Sequence, residues 1–335
     1  MSSIPVTVLT GFLGAGKTTL LNRLLAQPAL AGAVVMINEL GAIAIDHHLV
    51  RELRGDTIVL GSGCVCCVVH GDLVRALREL AARLAAGEGP PCDRVLIETT
   101  GIADPTGVVA TLLQQVPGFH PAGVVAAVDG VLGEATLGRH HEAVAQVALA
   151  DRIVITKADA ASPATLDALE ARLAALAPLA TITRAAHGAV APEVLLGAAA
   201  SPEITASWRQ QIAAAEHEHA VEGCSHPSHH HGVRSFAVRL PRAARLGPLG
   251  MWLTIMTQMH GPKLLRVKGL IEVEGEALPR AIHCVQHVVY PAAPLAAWPD
   301  EARGGSLVFI TRGLGEGTLA SLKASLLDTL GMLEG

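Results

Sequence analysis

The sequence predicts an α/β protein, with a mainly parallel sheet covered by helices and then a smaller α+β domain. Three observations lead there. Short Val/Ile-rich runs alternate with helical patterns over about the first 185 residues, as strands buried on both faces require. The pattern dissolves between Ala198 and Gly232 into Ala, Pro, Glu and His, a linker composition. Val233–Leu240 then restarts as an alternating strand, the sign of a second core. A length of 335 residues also exceeds one compact α/β unit and fits two domains.

Taken in order, strands are expected at Val6–Thr10, Val34–Asn38, Thr57–Leu60, Val95–Glu98, Val124–Val128, Arg152–Thr156 and Ala180–Thr183. Helices are expected between them, among others at Lys17–Ala26, Asp72–Ala86, Pro105–Gln115 and Pro163–Ala175. In the second part Pro248, a favoured first-turn residue, opens a helix that runs to His260. Strands near Leu264–Val273, Ala281–Tyr290 and Ser306–Thr311 and a helix over Gly317–Leu330 complete an antiparallel α+β unit. The domains are therefore read as 1–198, a linker over 199–232, and 233–335. No internal repeat is visible.

Half the residues are apolar but only 2% are aromatic, so the cores must be built from Ala, Val, Leu and Ile. No apolar run reaches the roughly 18 to 20 residues of a membrane span. The first residues lack a basic region and enter a strand directly, which argues against a signal peptide and for a cytoplasmic protein with reduced thiols. A net charge of −5 gives no basic footprint, so neither nucleic acid nor membrane is expected as a partner.

Gly11-Phe12-Leu13-Gly14-Ala15-Gly16-Lys17-Thr18 matches G-x-x-x-x-G-K-[ST] in full and stands between a strand and a helix, the context that a chance Gly-rich turn lacks. Backbone N–H groups from Gly11, Gly14, Ala15, Gly16 and the helix start at Thr18 and Thr19 would cradle phosphates. Lys17 would reach the β and γ oxygens, and the Thr18 hydroxyl would hold Mg²⁺. A second magnesium-facing group is needed at another strand end. Val95–Gly101 supplies Glu98, and the Gly101 N–H could sense the γ-phosphate. Lys17 and Glu98 are the candidate catalytic pair.

Thr156-Lys157-Ala158-Asp159 follows an apolar strand. The Asp159 carboxylate can accept both N1–H and the N2 amine of guanine, a pattern adenine does not offer, and the Lys157 stem can lie over the base. GTP is thus favoured over ATP. Thr156 stands where Asn is usual, which predicts a weaker brace to the phosphate loop.

Of the six cysteines, Cys64, Cys66 and Cys67 crowd into four residues; Cys92, Cys224 and Cys284 are scattered. Such crowding is poor disulfide geometry and good metal geometry. Three thiolates suit zinc or copper(I), with Glu39, solvent or a partner's group as the fourth ligand. Buried small hydrophobes would be the ordinary alternative for isolated cysteines. The triplet falls between Asn38-Glu39-Leu40-Gly41, where a nucleotide-responsive segment belongs, and the strand ending in Glu98, so γ-phosphate and metal could share one movable wall.

The combination GFLGAGKTTLLN, NELG, GCVCC, ETTGIADP and ADRIVITKAD resembles the CobW family of metallochaperone GTPases, relatives of the HypB and UreG nickel chaperones. Leu265-Arg266-Val267-Lys268-Gly269 and Leu307–Ile310 resemble that family's C-terminal domain. Leu40 replaces the usual Phe, and Ala42 stands where Glu is common. The resemblance implies a P-loop GTPase fold, GTP hydrolysis with Mg²⁺, zinc (or cobalt or another transition metal) at Cys64, Cys66 and Cys67 with Glu39 close by, delivery to a client metalloprotein, and GTP-dependent homodimerisation. It also puts a guanine-contacting loop at Ala185–Gly188.

His217, His219, His226, His229, His230 and His231 crowd the linker with Cys224 and could load metal weakly near the transfer site. The pairs His47/His48 and His140/His141 read as helix or loop decoration, and His260, His283 and His287 as core or rim. Two other functions share the phosphate loop: a metal buffer merely stabilised by nucleotide, and a kinase. The cysteines and histidines argue against the kinase. The alternatives for cargo are cobalt for cobalamin synthesis and iron or cobalt for a nitrile hydratase.

Overall fold

A computed structural model describes residues 3–38, 57–60, 68–88, 92–103, 105–196, 232–295, 297–298 and 304–333. They fall in two compact units, one comprising Met1–Leu173 and Ala180–Ala199, the other Ala174–Leu179 and Ala200–Gly335.

The first unit carries seven strands: β1 (Ile4–Thr10), β2 (Ala33–Asn38), β3 (Thr57–Leu60), β4 (Arg94–Glu98), β5 (Phe119–Asp129), β6 (Arg152–Thr156) and β7 (Thr181–Arg184). Every pairing is parallel, in the order 3-2-4-1-5-6-7. The chain passes to one side of β1 for β2 to β4 and to the other for β5 to β7. The carboxyl end of β1 is thus the switch point where a doubly wound sheet opens a ligand crevice.

The helices are α1 (Lys17–Leu25), α2 (Val68–Ala85), α3 (Thr106–Gln115), α4 (Gly133–Arg139), α5 (His141–Ala148), α6 (Pro163–Leu176) and the short α7 (Glu193–Leu196). In α1, Leu20, Leu21, Leu24 and Leu25 share one face and are buried against Leu9, Val35 and Val125 of the sheet. Each such burial contributes about 1.5–3 kcal/mol. The two helices α4 and α5 were not among those read from the sequence; at 7 and 8 residues, each is shorter than the window over which helical periodicity is counted.

The second unit is an antiparallel sheet in the order β11-β10-β9-β13-β8, with β12 also on β10. Its strands are β8 (Val233–Leu240), β9 (Leu264–Ile271), β10 (Arg280–Val285), β11 (Val288–Val289), β12 (Ala293–Pro294) and β13 (Gly305–Arg312), with helices α8 (Leu246–His260) and α9 (Glu316–Thr329). Phe309 anchors the core, stacked on Phe236 at 4.9 Å and edge-on to Trp252 at 6.1 Å.

One expectation is corrected here. The single strand over Ala281–Tyr290 is two strands of a hairpin, with Val285 paired to Val288 across a Gln286-His287 turn. Gln286 takes φ 46°, a left-handed position usually marked by Gly or Asn, and its residue type hides the turn.

Candidate functional site

The phosphate loop leaves β1 at Gly11 and closes into α1 at Lys17. Gly11 is obligatory for a steric reason: a Cβ there would lie 2.3 Å from the Ala127 carbonyl oxygen on β5. Lys17 is buried and donates to the Gly11 and Phe12 carbonyls at 2.8 and 3.3 Å, so its ammonium lies inside the loop that it would share with phosphate. Thr18 is half-buried and Thr19 exposed on the first turn.

The Thr18 hydroxyl donates to Glu98 Oε1 at 2.9 Å, across 80 residues of chain. One hydroxyl and one carboxylate, both hard oxygen donors, converge beside the phosphate loop, and this donor set fits a magnesium ion. Glu98 is buried at the end of β4, and its neighbour Thr99 donates to the Thr10 hydroxyl at 2.9 Å. That bond fixes the carboxyl end of β4 to that of β1.

After Thr99 the chain turns back. Ala103 N–H donates to the Thr100 carbonyl at 3.1 Å, and Gly101 is packed so tightly that a Cβ would meet Leu13 N at 2.6 Å. The predicted γ-phosphate sensor therefore lies against the phosphate loop. Gln146 of α5 donates through Nε2 to both Gly101 O (3.1 Å) and Ala103 O (3.0 Å). A cavity of about 120 Å³ adjoins it, lined among others by Phe12, Leu13, Leu137, Ala143 and Val147.

The base-reading segment follows β6. Thr156 keeps the brace that its residue type left in question: its hydroxyl reaches Ala15 O at 2.7 Å and Val128 O at 3.2 Å. Lys157 adopts φ 53°, and its ammonium donates to Gly14 O (2.9 Å) and to Asp129 Oδ2 (2.6 Å). Asp129 Oδ1 meanwhile accepts Val131 and Leu132 N–H at 2.8 and 3.0 Å. Burial raises the Asp129 carboxyl, but the Lys157 bond and the two backbone donors outweigh it and leave it below the usual range.

Asp159 is exposed and accepts His187 N–H at 2.8 Å, with His187 Nδ1 3.2 Å from its other oxygen. The His187 N–H holds its carboxyl below the ordinary value. The Ala185–Gly188 loop thus meets the carboxylate that would read guanine, and Gly188 packs beside Thr19 and Arg23.

Asp129 and Gln146 were missed in the sequence. Gln146 had one visible signal, a lone polar residue inside the apolar run Ala143–Ala148. His140 stands just before α5 and stacks on Phe12 at 4.3 Å; His283 stacks on Tyr290 at 4.5 Å. Cys64, Cys66, Cys67, Glu39, the pair His47/His48, Cys224 and the histidines from His217 to His231 lie outside the described residues. Among the described residues, no helix is long and apolar enough to cross a membrane.

Residues 5–184 match the CobW/HypB/UreG nucleotide-binding domain, and residues 233–328 the cobalamin synthesis protein cobW C-terminal domain. The zinc chaperone YjiA of Escherichia coli is 31% identical over 314 residues, covering 92% of this chain and 94% of the relative. The zinc chaperone CobW of Pseudomonas aeruginosa is 30% identical over 360 residues, covering 96% and 91%. The crystal structure of Zn(II)-bound YjiA GTPase from E. coli superposes with a TM-score of 0.69 at 25% identity, covering 97% of this chain and 99% of that one. A phosphate loop, a Thr–Glu pair and a guanine-type loop on one parallel sheet, with both domain models matched in sequence order, make this chain a member of the CobW/HypB/UreG family of P-loop GTPases.

Proposed function

We propose that this protein is a GTP-hydrolysing metallochaperone that binds zinc and passes it to a client metalloprotein. The observation that carries the reading is the convergence of Lys17, the Thr18–Glu98 pair and Asp159 at the carboxyl edge of one sheet. Relatives named zinc chaperones and zinc-regulated GTPase metalloprotein activators support the choice of cargo.

In this reading Gly11, Gly14, Ala15, Gly16 and Thr19 surround the phosphates, and Lys17 neutralises charge on the β and γ oxygens. Lys157 and Asp159 hold the guanine, and Gly101 N–H meets the γ-phosphate. Thr18 and Glu98 hold Mg²⁺, which when bound would offset charge developing on the transferred phosphoryl group. Cys64, Cys66 and Cys67, with Glu39, carry zinc as cargo. The histidines of the 199–232 linker load it, and the 233–335 domain meets the client. The setting is cytoplasmic, and GTP-dependent homodimers form during the cycle.

Phosphate release from GTP and zinc affinity, each measured on the wild type and on Cys66→Ser/Cys67→Ser, test the reading. Wild-type zinc affinity should differ between a GTP analogue and GDP, and the double variant should lose zinc by at least about two orders of magnitude. Equal zinc affinities in both nucleotide states would sink the coupling, and a double variant that still takes up zinc would sink the cargo site.

A further inference from the structure

We infer that Gln146 is a positioning residue for GTP turnover, acting as a latch on the loop that carries Gly101. The inference rests on the GTPase reading and names a part of its machinery that no motif contains.

Gln146 is 1% exposed, in a helix whose neighbours Ala143, Val144, Ala145, Val147 and Ala148 are all buried and apolar. A polar side chain in such a place costs stability unless it is hydrogen-bonded. Both of its N–H groups go to one short loop, at Gly101 O and Ala103 O, two residues apart. The loop is thereby clasped from both sides, by Leu13 of the phosphate loop packed on Gly101 and by the α5 carboxamide on its two carbonyls. The N–H that would meet the γ-phosphate and the carbonyl that Gln146 grips both belong to Gly101.

Two further features set this apart from ordinary core packing. Gln146 Oε1 is buried and finds no donor among the described residues, a cost that an apolar side chain of equal size would not carry. The cavity of about 120 Å³ that adjoins the side chain gives it room to follow the loop when the loop moves. Through Gly101 the latch would act on the nucleotide. It should distinguish triphosphate from diphosphate, because GDP has no γ-phosphate for that N–H to meet.

The test measures GTP turnover, affinity for GDP and for a non-hydrolysable GTP analogue, and melting temperature, in the wild type, Gln146→Leu and Gln146→Glu. Gln146→Leu, which keeps the volume, is expected to lower kcat by about ten- to a hundredfold. It should also weaken analogue binding while leaving GDP affinity within about twofold. An ionised Gln146→Glu carboxylate has no proton to give the two carbonyls, but burial favours the protonated carboxyl, which regains one donor. Its kcat relative to wild type should therefore recover between about pH 8 and pH 5.5.

A parallel fall in GDP and analogue affinity, or Gln146→Leu turning over like wild type, would overturn the latch. If Gln146→Leu fails to fold, Gln146→Glu decides, and no recovery in acid counts against the proposal. A wild-type chain that neither binds nor hydrolyses GTP removes the underlying reading instead, a result distinct from an unaffected variant of an active protein.

Discussion

At the phosphate end of the site Lys17, Glu98 and Thr99 are buried; at the base end Lys157, Asp159 and His187 are exposed. The first group is held by strand ends and a helix start, through bonds such as Thr18–Glu98, from α1 to the end of β4, and Thr99–Thr10, between the ends of β4 and β1. The second is held by two loops, after β6 and after β7, in which Lys157 and His187 take left-handed backbone angles, φ 53° and 51°. Such conformations cost of order 1 kcal/mol each and persist only when the surroundings fix them. Here the fixing bonds are the Asp129–Lys157 pair and the His187 N–H to Asp159. The phosphate end is thus built by the fold itself, and the base end by a handful of polar contacts laid over it.

The widest gap between the two ends should appear with Lys17→Ala. Losing the buried ammonium should cut GTP turnover by about 10²–10³-fold, with little change in melting temperature. Phosphate release and thermal melting check this, and a variant with near-normal turnover would break the assignment of the phosphate end.

Asp159→Asn comes next. The amide presents a donor where guanine needs an acceptor, so GTP affinity should fall about a hundredfold. Xanthosine triphosphate, whose 2-oxo group accepts that donor, should gain. Titration with both nucleotides reads the result, and unchanged preference would show that the loop does not read the base.

Asp129→Asn should act more gently, raising KM for GTP by about three- to tenfold as Lys157 loses its charged partner. It also sharpens a pH argument. The Asp129 and Asp159 carboxyls are depressed in the folded chain. Each contributes stability that is fully present above its unfolded value and is lost as pH falls through its folded one. Wild-type melting temperature should therefore drop on acidification below about pH 4, and Asp129→Asn should flatten part of that drop. An identical acid profile would remove Asp129 from the account.

The smallest effect belongs to Thr156→Val, which keeps the shape and deletes the hydroxyl. The loss of the bonds to Ala15 O and Val128 O should cost about 0.5–1.5 kcal/mol in denaturant unfolding. Thr156→Asn should be close to neutral.

The same contrast governs what could be read in advance. The phosphate loop was legible because spacing, glycines and the strand-to-helix context lie within one stretch of chain. Glu98 was legible because it ends an apolar strand. Asp129 and Gln146 were not, since their partners lie 28 and 43 or 45 residues away, and a sequence shows neither. The role of Thr156 was legible only as a departure; the bond lengths, not the residue type, show that it reaches the loop. In the second domain the strand at Val233–Leu240 was evident from alternation, and the one at Ser306–Thr311 holds a short continuous apolar run. The Gln286-His287 turn was hidden because its left-handed residue carries no glycine or asparagine.

The stacking of Phe12 on His140 has a practical corollary. All three tryptophans, Trp208, Trp252 and Trp298, and the single tyrosine, Tyr290, lie beyond residue 198. The tryptophan and tyrosine fluorescence of this chain therefore arises wholly beyond residue 198, and a melting curve followed by that signal has no reporter of its own on the phosphate loop. Phe12→Trp would seat an indole on the phosphate loop against an imidazole, giving that loop an optical voice of its own, responsive to whatever it embraces.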